Sequence, residues 1–158
     1  MEKQSFLKEV TTGLPAWAKG IIAVGVIGGI GYAIYRVAKK GGDILKPDEA
    51  KQDINKLKEA GQQPTYMDAQ YVGFADAIYA ARQCNNVFGT NEEAIYSVFR
   101  KMANDIDVAK LIEKFGERRL CFSFTKGSLG GFLQDDLSQK EIAIINEILK
   151  KKGIIYQF

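Results

Sequence analysis

The sequence predicts an all-α protein, with one N-terminal transmembrane helix followed by a small helical bundle. Two observations carry that prediction. Gly20 to Tyr35, GIIAVGVIGGIGYAIY, is an uncharged apolar run with Trp17 and Lys19 before it and Arg36, Lys39 and Lys40 after it. Beyond Thr65, apolar residues recur at three- and four-residue intervals, the period of a helix that buries one face.

The apolar run comes first in the chain. At about 1.5 Å per residue the uncharged part spans roughly 24 Å, short for a hydrocarbon core of about 30 Å. Counting from Leu14 to Ala38 lengthens it to roughly 37 Å, since Lys19 and Arg36 can run their aliphatic stems along the helix and keep their charges at the headgroups. Trp17 on one side and Tyr32 and Tyr35 on the other occupy positions expected of interfacial aromatics. A cleaved signal peptide would start its apolar region nearer Met1 and end at a small-residue cleavage site. Here polar sequence comes first, and Arg36-Val37-Ala38-Lys39-Lys40 follows like a stop-transfer signal, so the segment is expected to stay attached. Basic residues are more numerous after the span than before it, which places the C-terminal domain on the cytoplasmic or interior side. Gly25, Gly29 and Ala33 repeat every four residues and line one side of the helix, a stripe that suits close helix–helix packing in lipid and self-association.

The domain organisation follows: a polar segment over 1–13, the transmembrane helix over 14–40, a linker over 41–64, and the bundle over 65–158. Gly41-Gly42 breaks the anchor helix. Pro47-Asp48-Glu49 opens a short polar helix to about Ala60, with Pro47 suited to the first turn. Ile54 and Leu57 give it a thin apolar stripe, so it is expected on the surface or as a spacer.

In the bundle, Tyr71, Phe74, Ala75, Ile78 and Tyr79 form the face of a helix ending near Cys84. Thr90-Asn91-Glu92-Glu93 has the form of a capping box. The helix it opens carries Ile95, Val98, Phe99 and Met102. Asp105 or Asp107 is expected to cap the next, which carries Val108, Leu111, Ile112 and Phe115 and stops at Gly116. Ser138-Gln139-Lys140-Glu141 repeats the capping signature ahead of Ile142, Ile145, Ile148 and Leu149, and Gly153 ends that helix. The tail Ile154 to Phe158 is apolar and expected to cover the bundle.

Composition narrows the function classes. The 158 residues are 46% hydrophobic, much of it supplied by the anchor, and what remains is long enough for one core. The net charge of +3 gives no nucleic-acid stripe. There is no histidine, which removes the commonest general base and zinc ligand. Cys84 and Cys121 are widely spaced and read as buried, reduced thiols. Lys126-Gly127-Ser128-Leu129-Gly130-Gly131 is glycine-rich but lacks P-loop spacing. Glu92 and Glu93 are adjacent on a helix and point in different directions. No catalytic residue, cofactor or metal site is expected.

FADAIYAAR, GTNEEAIYSVF, LIEKFGER and FLQDDL, from Phe74 to Leu137, together with the final apolar helix to Leu149, resemble one annexin repeat. The resemblance implies a compact bundle of short helices. In annexins a Gly-x-Gly-Thr loop presents carbonyls to calcium and a later carboxylate completes the shell. Here Asn86-Val87-Phe88-Gly89-Thr90 lacks the earlier glycine, Leu120 to Gly131 is inserted, and Asp135-Asp136 is the only acidic pair near the equivalent position. The resemblance therefore carries the fold and not the activity. The chain reads as a non-catalytic membrane-anchored structural or adaptor protein, in one form a component of a lipid-containing phage particle. Its partners are then a lipid bilayer and other membrane or structural proteins, with no nucleic acid. The alternatives are a lipid- or calcium-responsive annexin-like module and a small membrane-bound hydrolase or lysis factor.

Overall fold

A computed structural model of the chain describes residues 46–82, 89–120 and 125–158. Among them lie α1 (Pro47–Glu59), α2 (Asp68–Ala81), α3 (Glu92–Lys101), α4 (Asp105–Phe115), β1 (Arg118–Arg119), β2 (Lys126–Gly127), α5 (Leu129–Asp136) and α6 (Gln139–Lys151). The described chain is mostly helical, as its periodicity predicts. The predicted anchor, with Trp17, Lys19, Gly25, Gly29, Ala33, Tyr35 and Arg36, lies outside the described residues, as do Cys84 and Cys121. No helix among the described residues is long and apolar enough to cross a membrane.

Helix α4 is the axis of the core. Ile106, Val108, Ala109, Leu111 and Ile112 are all fully buried, and even its charged Asp105, Asp107 and Lys110 are buried. A helix enclosed on this many sides needs neighbours all round. α1 and α2 both lie against it, α2 also meets α3, and α3 meets α6. The expected faces of α3 and α6 hold: Ile95, Val98, Phe99 and Met102 are buried with Ile142, Ile145 and Leu149, while Ile148 is half-buried. On α2, Tyr71, Ala75 and Ile78 point inward, Phe74 is half-buried and Tyr79 is exposed at its edge.

The local signals act where the chain needs them, with two exceptions. Ser138 Oγ accepts from Glu141 N at 3.4 Å, and Glu141 Oε2 accepts from Ser138 N at 2.6 Å, a complete capping box. Gly153 has φ 71° and closes α6 with paired bonds, Gly153 N to Lys150 O at 3.0 Å and Ile154 N to Leu149 O at 3.1 Å. Thr90, however, is not a cap. Asn91 holds that position and accepts from Ala94 N at 3.1 Å, while Glu93 pairs with Arg100 one helical face along. Nor does Asp105 or Asp107 cap α4. Asn104 does, accepting from Asp107 N at 3.0 Å, which frees both aspartates for longer-range contacts.

Two larger corrections concern packing. The helix expected on the surface or as a spacer, α1, is part of the core: Ala50, Ile54 and Leu57 are buried against α4. Its stripe is wider than an apolar count suggests, because Asp53 lies in it, 2% exposed, with the Tyr156 hydroxyl as a partner. The region from Thr65 onward is also not helical throughout. Arg118 pairs with Gly127 and Arg119 with Lys126 in an antiparallel ribbon, and the chain becomes helical again only at Leu129. The tail behaves as expected. Ile154 and Tyr156 are buried, and the Phe158 ring sits edge-on to Phe99 at 5.3 Å between centroids.

Candidate functional site

The polar chemistry of the described domain gathers in two places. The first is built from aspartates at the start of α4 and on α1. Asp107 is fully buried and both its oxygens are used. Oδ1 accepts from the Tyr71 hydroxyl at 2.5 Å and from Thr65 N at 2.8 Å; Oδ2 accepts from Ala103 N at 2.8 Å. One carboxylate thus fastens the entry to α2 and the entry to α4. Asp105 does the same for more distant segments. Its Oδ1 accepts from Ile155 N at 2.8 Å and its Oδ2 from Gln62 Nε2 at 3.4 Å, while Gln62 Oε1 accepts from Ile106 N at 3.2 Å. Asp53 on α1 accepts from the Tyr156 hydroxyl at 3.4 Å. Asn146 completes the attachment of the tail, donating to Phe158 O and accepting from Phe158 N, each at 2.9 Å.

Burial raises the Asp105 carboxyl above its ordinary range, opposed in part by the donated hydrogen bonds. Burial beside Asp53 and Asp105 likewise pushes the Tyr156 phenol upward, so it stays a neutral donor. Tyr71 is raised too, by burial and by its hydrogen bond to Asp107. Both phenols are therefore held as neutral donors to the carboxyl oxygens. The arrangement joins chain segments and leaves the Asp107 oxygens engaged with donors.

The second place is at the other end of α2. The Arg82 guanidinium is 2% exposed and reaches two carboxylates, Asp135 Oδ2 from Nη2 at 2.6 Å and Asp136 Oδ1 from Nε at 3.1 Å. It also lies 4.8 Å from the centre of the Phe132 ring. Thr90 Oγ1 donates to Asp136 Oδ2 at 2.7 Å. Arg82 and Thr90 bracket residues 83–88, so Asp136 draws the two ends of that connection together, assisted by Asn91 N donating to Ala81 O at 2.9 Å. The acidic pair that the sequence offered as a displaced calcium position is thus turned onto an arginine. Among the described residues there is no cluster of His, Cys, Asp or Glu that could hold a metal ion.

No protein-family model, curated protein or solved structure matches this chain.

Sequence reasoning missed Asp53, Arg82 and the long-range partners of Asp105 and Asp107. One signal was available. Asp53 is three residues after Ala50 and four before Leu57, on the apolar stripe, and an acid in that phase implies a buried partner. Nothing local announced Arg82, whose partners lie about fifty residues further along the chain.

Proposed function

We propose that the chain is a non-catalytic, single-pass membrane-anchored structural or adaptor protein whose helical domain works by contact. A membrane-associated component of a lipid-containing phage particle is its concrete form. The observation that carries this reading is the uncharged run Gly20 to Tyr35 between Lys19 and Arg36, with Lys39 and Lys40 behind it. The domain is consistent with it, because the buried Asp105, Asp107 and Arg82 are committed to holding chain segments in place. The annexin likeness belongs to this proposal as a fold, with α2 to α6 as the short-helix bundle. The calcium-responsive alternative is less favoured, since a cation at Asp135 and Asp136 would have to displace the buried Arg82 guanidinium.

Alkaline carbonate extraction tests the reading. Membranes carrying the full-length chain should retain it in the pellet, as a spanning helix does. Release of intact protein into the supernatant would overturn it.

A further inference from the structure

We infer that the outer face of α2 lies on the lipid surface that holds the anchor, as an apolar contact between the domain and the bilayer. The inference rests on the anchor proposed above.

α2 is apolar on both sides. Tyr71, Ala75, Ile78 and Ala81 are buried in the core. The opposite side presents Ala69, Val72, Gly73, Ala77 and Ala80 to solvent, with Asp76 among them. Of the four large apolar side chains exposed among the described residues, Met67, Val72, Tyr79 and Ile144, three belong to α2 or its N-cap. The outer side of α1, by contrast, carries Lys51, Gln52, Asn55, Lys58 and Glu59. A helix apolar all round calls for cover on both sides, and the core supplies it on one. The charges that border the outer face are drawn to its edges. Asp76 meets Arg118 at 2.8 Å, Asp68 meets Lys110 at 2.6 Å and Lys114 at 2.7 Å, and the Lys101 ammonium lies 5.3 Å from the centre of the Phe74 ring. With Glu113 beside Lys114, these four cations stand against three carboxylates, so the border does not repel an anionic leaflet.

The tether points to what covers this face. Gln62 and Gln63, just beyond α1, and Thr65, just before α2, all bond to residues 104–107 at the start of α4. α1 and α2 both lie against α4, and the Tyr79 ring meets the Phe115 ring at 6.4 Å between centroids. α1 therefore begins, and α2 ends, where α4 finishes. Helices in contact are about 10 Å apart, so Lys46 stands about 20 Å or less from the axis of α2. Lys40 closes the predicted anchor, and the six residues 41–46 reach roughly 20 Å at about 3.6 Å per residue. The domain can thus lie down on α2 without lifting the anchor. A surface tethered this closely is presented at an effective concentration in the millimolar range, so a contact too weak to hold the free domain is occupied. A second copy is the poorer fit. The 14 residues of α2 offer a face of roughly 21 Å by 10 Å, a few hundred Å² for a pair, against the roughly 1,200 Å² that a stable pair buries.

The test uses the full-length chain in vesicles of phosphatidylcholine brominated near the headgroup end of its acyl chain, which quenches tryptophan at the bilayer surface. Trp17→Phe removes the native tryptophan, so that Val72→Trp or Asn55→Trp supplies the single reporter. Val72 is on the outer face of α2 and Asn55 on that of α1, and both are exposed. The reporter at position 72 should lose most of its emission and the reporter at position 55 little. A Cβ at Gly73 would meet no atom within 4 Å, so Gly73→Glu should keep a cooperative melt and bring quenching at position 72 down to the level at position 55. A chain retained in alkaline carbonate with equal quenching at the two positions overturns the docking and leaves the anchor standing. Quenching at position 72 that survives Gly73→Glu also overturns it, since the reporter would then insert by itself. Emission at position 72 shifted to the blue without quenching, and dependent on the protein-to-lipid ratio, assigns the face to a second copy and overturns the docking. Loss of the chain from the vesicles in alkaline carbonate overturns the anchor and the docking together.

Discussion

The half of the domain made by α3 and α6 differs in kind from the half made by α1, the start of α4 and the C-terminal tail. In the first, apolar side chains decide position: Phe99, Ile95, Ile145 and Leu149 are fully buried, and neither helix carries a buried charged side chain. In the second, apolar side chains share the work with buried carboxylates, whose donors come from segments far apart in sequence. The difference teaches that closure of this small domain depends on polar keys. Burial of Ile54 or Tyr156 is possible at any register, whereas Asp105 accepts from Ile155 N in only one.

The largest effect expected is in the apolar half. Phe99→Ala should cost about 3–5 kcal/mol, since a fully buried ring against Phe158 leaves a cavity. Chemical denaturation of the domain checks it, and a loss below about 1 kcal/mol would mean that this half is not closely packed. In the keyed half, Asp107→Ala should cost about 3 kcal/mol, because the Tyr71 hydroxyl and the Thr65 and Ala103 amides lose their acceptor together. An Asp107→Ala protein with unchanged stability would erase the distinction between the halves. The smaller Ser138→Ala change should cost about 1 kcal/mol through the lost cap. Thr90→Ala then sharpens the comparison, since its hydroxyl serves Asp136 rather than the cap, and circular dichroism should show α3 helicity intact.

A pH effect should be the smallest, and in the keyed half it centres on Asp105. Burial raises the folded Asp105 carboxyl above its unfolded value, so the folded state takes up a proton first. Its contribution to stability is therefore fully present below the ordinary carboxylate value of about 4 and is lost as pH rises through the raised folded value. Asp68 acts in the opposite sense. Lys110 and Lys114 hold it down to about 2, so its contribution is present above the ordinary value and lost as pH falls toward that figure. Its exposure screens the pair and keeps that contribution small. Thermal melts of the wild type and of Asp105→Asn between neutral pH and about pH 4 separate the two, with the wild type gaining stability on acidification relative to the variant.

How far the molecule was legible follows the same division. The helices of the apolar half could be read because periodicity, caps and stop glycines all act within a few residues, as at Ser138 and Gly153. α1 was misjudged because its stripe is completed by an aspartate, and the value of that aspartate depends on Tyr156, about a hundred residues away. The ribbon escaped detection because strands of two residues carry no alternation to count. The Arg82 clamp was invisible for the reason that its acids read equally well as solvated surface.

The central claim is that attachment to the bilayer resides in residues 14–38 and the fold in the domain beyond them. Flotation on phosphatidylcholine vesicles tests it most directly, comparing the full chain with one lacking Leu14 to Ala38. The full chain should rise with the vesicles, while the deleted chain should stay at the bottom of the gradient and still unfold cooperatively. A deleted chain that floats as well as the full one would contradict it.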